Sequence, residues 1–286
     1  MSDFSTWLSD LKGVSEPLSK LIDSVRSVFG YYAEPSAIRR KAEAEAHANI
    51  ILAKSRAQCM EIESRAMERV YKKEVRRQQN IESITHKATL FLPMSVSKEP
   101  ISEDWVHQFY ENCQDTNDDE LKALWAKILA GEVSQPGSYS LRTLRTVKDM
   151  QFRDADLFTR FCSFIWMQGS NRVPVIHDKD GAYVKAQDIS FEDFLHLQDL
   201  GLIQFNQLTS FLLQGLKGAA FQISYFGATY QIVIPPEKND FHLGCSLLTR
   251  TGVELFSIAG GQPSESYCEA VLTKWREEGY LVVQVK

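Results

Sequence analysis

The chain has 286 residues, 44% of them hydrophobic and 24% charged, with a formal net charge of −5. These values exclude a disordered tail protein, a collagen-like repeat and a disulfide mini-scaffold, and leave room for a sizeable core. An acidic balance also argues against a surface built throughout for nucleic acid.

Residues 1–34 form the first expected segment, an amphipathic N-terminus. Phe4, Leu11, Leu18 and Val25 repeat every seven residues, as do Trp7, Val14, Leu21 and Val28, and Leu8, Ile22 and Phe29 widen the stripe. Gly13 and Pro17 break it into two helices, with Ser15 as a candidate cap for the second. The opposite face mixes Asp3, Asp10, Glu16 and Asp23 with Lys12, Lys20 and Arg26. The stripe therefore has three candidate destinations: its own core, a partner helix, or the lipid interface.

Residues 35–92 read as a long helical rod. Positions 36–88 hold no Gly or Pro and are rich in Ala, Glu, Lys and Arg. A continuous helix there would span about 75–80 Å. Residues 39–87 carry twelve Lys/Arg against seven Asp/Glu, a local balance of +5. Large apolar residues are sparse (Ile38, Ile50, Ile51, Met60, Ile62, Met67, Val70) and leucines nearly absent, so the expectation is packing against another helix or another copy rather than an a/d zipper.

Residues 93–169 read as a compact helical domain after a linker bracketed by Pro93 and Pro100. Ser102 and the run 117–120 mark two helix starts. The second of these helices is expected to pass through Trp125 and end near Gly131. Ser138 or Ser140 starts a third after Pro136-Gly137, and a fourth runs through Phe152, Phe158, Phe161, Phe164 and Trp166. Glu132 is placed to pair with Arg142 or Arg145 across the turn.

Residues 170–286 change periodicity. Positions 173–177 and 182–186 flank Asp180-Gly181 as one expected hairpin, and the alternation in 221–225 and 230–234 around Gly227-Ala228 gives a second. Short helices begin at Ser190, after Leu248 and near Ser266, and a strand closes the chain. The whole is expected to be α+β and predominantly α, with this last domain winged-helix-like.

The run 124–132, followed by Pro136-Gly137-Ser138-Tyr139-Ser140-Leu141-Arg142-Thr143-Leu144, is distinctive. With Asp104-Trp105 and Arg77-Gln78-Gln79-Asn80-Ile81-Glu82, it resembles an uncharacterised bacterial domain-of-unknown-function family found among phage-defence genes. The resemblance covers residues 30–165 well and the later part loosely. The layout is also similar to abortive-infection proteins of the alpha type. That resemblance implies phage defence by disabling the infected cell at the membrane, and the expectation built on it is a protein that senses a phage component, oligomerises and acts at the inner membrane through its N-terminal helix. It carries no catalytic residues.

Catalytic chemistry finds little footing. There is no GxSxG, P-loop, HExxH or GxGxxG motif. The five cysteines (Cys59, Cys113, Cys162, Cys245, Cys268) form no CxxC and suit a reducing cytosol. His107 and Glu111 share a helix face but sit in an acidic run that a helix start prefers. The expectation is thus a non-enzyme without cofactor or metal, cytoplasmic at rest and peripheral to the membrane when active. Its partners would be itself, a phage protein and inner-membrane lipid, with nucleic acid not favoured. A soluble oligomeric scaffold or regulatory interaction module is the alternative, and a DNA-binding regulator the third reading.

Overall fold

A computed structural model describes residues 16–29 and 60–285. Phe4, Trp7, Leu8, Leu11 and Val14 lie outside the described residues, as do 35–59 of the expected rod and the side chains of Val25, Val28 and Phe29. The protein is mixed α+β with antiparallel sheets, and it divides into two compact units, Met1–Lys148 and Asp149–Lys286.

In the first unit, helix α1 (Glu16–Phe29) carries Pro17 in its first turn, where a missing N–H costs nothing. Helix α2 (Met60–Thr89) is followed by the linker. Then come α3 (Glu103–Cys113), α4 (Asp119–Ser134) and α5 (Leu141–Asp149). Ser102 caps α3 by accepting the Trp105 N–H, and Asp118 caps α4 by accepting those of Glu120 and Leu121. The C-terminal half of α2 packs along α4 and meets α3, burying Ile81, Ile84 and Ala88. Asn80, in the same half, donates to the Gln114 carbonyl at 2.9 Å. At the core Trp105 stacks on Phe109, whose ring meets Trp125 edge-on at 5.4 Å.

The second unit begins at Asp149, twenty-one residues before the start expected at 170, and its first whole helix is α6 (Phe152–Phe161). The aromatic helix does not reach Trp166. Its spacing of Phe158, Phe161 and Phe164 continues only through a 3-10 turn (Cys162–Phe164), and Trp166 lies in strand β1 (Ile165–Gln168). Two tyrosine hydroxyls take the carbonyls a longer helix would have used. Tyr225 donates to Ser163 O at 2.9 Å, and the Tyr267 hydroxyl lies 2.9 Å from Phe164 O.

The hairpin expected around Asp180-Gly181 is also replaced. Strand β2 (Asn171–Pro174) pairs back onto β1 across Gly169, whose φ of +59° suits glycine, and positions 182–186 form helix α7 (Ala182–Ala186). Asp178 accepts the Asp180 N–H and donates its own N–H to the Tyr183 hydroxyl. That tight turn feeds a helix rather than a returning strand.

Helix α8 (Phe191–Asp199) starts at the Ser190–Asp193 capping box. Strands β3 (Ile203–Phe205), β4 (Phe211–Gln214), β5 (Ala220–Tyr225), β6 (Ala228–Val233), β7 (Asp240–Gly244) and β8 (Ser246–Leu248) follow. Helices α9 (Arg250–Ala259) and α10 (Glu265–Glu277) precede β9 (Leu281–Val285). The β5–β6 hairpin forms as its alternation predicts, turning at Phe226-Gly227, and it lies inside a five-stranded antiparallel sheet ordered β2-β1-β5-β6-β9. Pairs β3–β8 and β4–β7 stand apart from it. Trp166 donates its indole N–H to the Tyr267 hydroxyl, which also reaches Val175 O at 2.6 Å. This buried polar knot ties α10 to β1 and to the chain following β2.

Candidate functional site

The corner between α4 and α5 is built on one buried carboxylate. Glu132 is 2% exposed, and its two oxygens accept the backbone N–H groups of Gly137 (2.7 Å) and Tyr139 (3.0 Å). Both acceptors are thereby committed to the turn, and charge-assisted bonds of this kind are strong. Gly137 has φ +84°, a left-handed conformation that glycine adopts freely. The Glu132 pairing with Arg142 or Arg145 expected from sequence is not made. Both arginines are exposed on α5, and the turn's own N–H groups lie closer to the carboxylate.

The other motif residues hold the same corner. Helix α4 continues one turn past Gly131, the residue expected to end it, and stops at Ser134. Gly131 has a packing role instead: a Cβ there would come within 2.7 Å of the Tyr139 ring. Trp105 donates its indole N–H to Tyr139 O at 2.7 Å. Pro136 opens the turn. Ser138 donates back to Gln135 O, so the cap of α5 falls to Ser140, which accepts the Thr143 N–H at 3.3 Å. Trp125 is fully buried in the helix that leads into this corner.

Helix α1 docks beside the corner, against α3 and α4. Leu18, Leu21 and Ile22 are 8%, 1% and 2% exposed, so this part of the predicted stripe is core. On its other side Lys20 donates from Nζ to Ser97 O at 2.7 Å, while Ser97 N donates to Ser134 O at 2.8 Å. The linker is thus pinned to the last turn of α4 and in turn holds α1. Burial pulls the Lys20 pKa below its usual value, opposed by the carboxylates of Glu99, Glu132 and Glu16. A cleft of about 610 Å³ runs between Ser19, Lys20 and Asp23 on one side and Lys98, Glu99 and Pro100 on the other.

The two residue sets singled out from sequence therefore meet, because α1, with Leu18, Leu21 and Ile22 buried, packs against the helix that carries Trp125, Gly131 and Glu132. Sequence reading missed Lys20, Ser97 and Tyr139 as participants. Lys20 looked like one more charge on a solvated face, and a linker serine carries no signal at all.

Elsewhere the titratable groups serve the fold. Asp154 accepts both the Gln151 N–H and a hydrogen bond with His196 Nε2 at 2.8 Å, bracing α6 to α8. Cys113 and Cys162 are buried, and burial pushes both thiols up, away from the nucleophilic thiolate. Asp115 is drawn down to about 2 by its hydrogen bonds with Arg77, with Arg76 beside it. Among the described residues no three His, Cys, Asp or Glu side chains converge as metal ligands, and no helix is long and apolar enough to cross a membrane.

The fold and this corner define a mixed α+β protein with a docked N-terminal helix. Residues 64–272 match a family of proteins of unknown function, DUF2806, and the chain belongs to that family. The matched segment contains Glu132, Gly137 and Tyr139, whereas α1 and Lys20 precede it. Comparison with curated proteins and with solved structures found no match.

Proposed function

We propose that the protein is a non-enzymatic bacterial antiviral defence protein of the abortive-infection kind. In this reading it assembles through its long helix, and α1 is its membrane-acting element, held docked at rest. The observation that carries the reading is the burial of Leu18, Leu21 and Ile22 beneath the Lys20–Ser97 latch. Docked, an amphipathic helix hides its apolar stripe and leaves a well-behaved surface. Released, the same stripe suits the headgroup–acyl boundary of the inner membrane. The phage context comes from the family resemblance carried by 124–132 and 136–144. The second unit is read as a winged-helix-like recognition module for a phage component, with the β5–β6 hairpin as its wing.

The same burial also favours a second reading, in which α1 is permanent core of a soluble scaffold or regulatory module. Phage challenge of cells carrying the full chain, the chain lacking residues 1–30, or the chain with Leu21→Lys separates the two. The proposal expects defence and membrane leakage to disappear in both altered chains while thermal melting still shows the second unit folded. Undiminished defence in either would leave the scaffold reading standing.

A further inference from the structure

The face of α2 that is covered in its second half is bare in its first. Residues eighteen positions apart lie on the same side of a helix, five turns apart at about 3.6 residues per turn. Asn80, Ile81, Ile84, Thr85 and Ala88 are buried, whereas their equivalents Ile62, Glu63, Ala66, Met67 and Val70 are not. Ile62 is 71% exposed, Val70 56% and Met67 47%. Basic residues flank this bare strip on one side, with Arg65, Arg69, Lys72 and Arg76 along the helix.

We infer that this strip is a contact with a second copy of the chain, in which the two helices run antiparallel about a two-fold axis at Glu68. The inference deepens the assembly part of the proposed function and rests on it. The strip is self-complementary in that arrangement. Ala66 faces Val70 of the second copy, a small residue against a branched one, so the backbones approach closely. One step outward on each side, Glu63 faces Lys73 of the second copy, and the two-fold repeats both pairs. Neither Glu63 nor Lys73 has a salt-bridge partner among the described residues. Parallel pairing fails on the same residues, since it sets Glu63 against Glu63 and Lys73 against Lys73. It would also drive together the two sets of helices packed on the covered half of the face. Antiparallel pairing sends them to opposite ends. Met67 meets its own copy near the axis, and Arg69 lies at the edge where its guanidinium reaches water.

Sedimentation equilibrium of the full chain tests the contact, with Glu63→Lys, Lys73→Glu and the double exchange E63K/K73E. Both positions of change are solvent-exposed, and unchanged melting temperatures verify that the fold persists. Each single reversal turns two attractions into two repulsions and is expected to weaken self-association at least about tenfold, and the double exchange to restore it. The two residues are about 15 Å apart along one helix, so restoration cannot arise within a chain. A monomeric wild type would overturn this contact together with assembly itself. Association that both single reversals leave intact would overturn this contact while assembly through another surface stands. Loss without restoration would overturn the register.

Discussion

Lys20 and Ser97 are joined by a 2.7 Å hydrogen bond that spans the linker and the docked N-terminal helix. Because Ser97 also donates to Ser134 O, one residue connects α1 to the last turn of α4. Glu132, two residues before Ser134 in that same turn, adds its charge to the environment of Lys20 while holding the turn that follows. Helix docking and corner geometry are therefore coupled through a few atoms.

Lys20→Ala removes the donor and leaves the half-buried cation's place empty. The expected cost is about 1 kcal/mol, typical of a net hydrogen bond at a partly solvated site. Urea unfolding of the full chain reads it. Limited proteolysis gives a second readout, with faster cleavage within residues 16–29.

Glu132→Gln keeps one acceptor oxygen and puts an amide donor where the second stood. One of the N–H groups of Gly137 and Tyr139 then loses its partner, at about 1–3 kcal/mol. A double-mutant cycle of E132Q with Lys20→Met measures the coupling between latch and corner. Additivity of the two changes would separate them.

Gly131→Ala has an unusual expected sign. In an open helix interior the change stabilises by about 1 kcal/mol. Here the new Cβ would meet the Tyr139 ring at 2.7 Å, so a loss of about 1–3 kcal/mol is expected. Gly137→Ala meets no neighbour and costs about 1 kcal/mol from its φ of +84° alone. Thermal melts of the pair distinguish crowding from backbone strain.

His177 sits beside Trp275 in the second unit, and burial, with Lys274 and His242 near, holds its pKa down to about 4. A base with a lowered folded pKa is favoured neutral in the folded state. Stability is then full above pH 6.5, falls as the unfolded chain takes up the proton, and levels off below about pH 4. The loss is on the order of 3 kcal/mol, and His177→Phe flattens that stretch of the stability–pH curve. An unchanged slope in the variant would assign the acid response to other groups.

How much of this was legible in sequence depended on how local the signal was. Caps at Ser102, Asp118 and Ser190 and the β5–β6 hairpin are written in residues three or four apart, and they read correctly, although the hairpin turns at Phe226-Gly227 and not at the expected Gly227-Ala228. The aromatic run through Trp166 misled, because its helical spacing persists past the point where Tyr225 and Tyr267, some sixty and one hundred positions away, claim the carbonyls. The 173–186 hairpin failed for a related reason, since Asp-Gly also opens helices when a nearby Tyr closes the turn. At the candidate site, the apolar stripe and the Glu132 corner were each visible alone. Their meeting was not, because it depends on a linker carbonyl that any residue would supply.

The central claim is that α1 is a docked element whose release creates membrane affinity. Flotation of the full chain with vesicles containing anionic lipid, wild type against Lys20→Ala, tests it most directly. The account predicts a larger vesicle-bound fraction for the variant, abolished when residues 1–30 are also removed. Equal, negligible flotation of wild type and variant, with proteolysis showing that α1 has come loose in the variant, would contradict it.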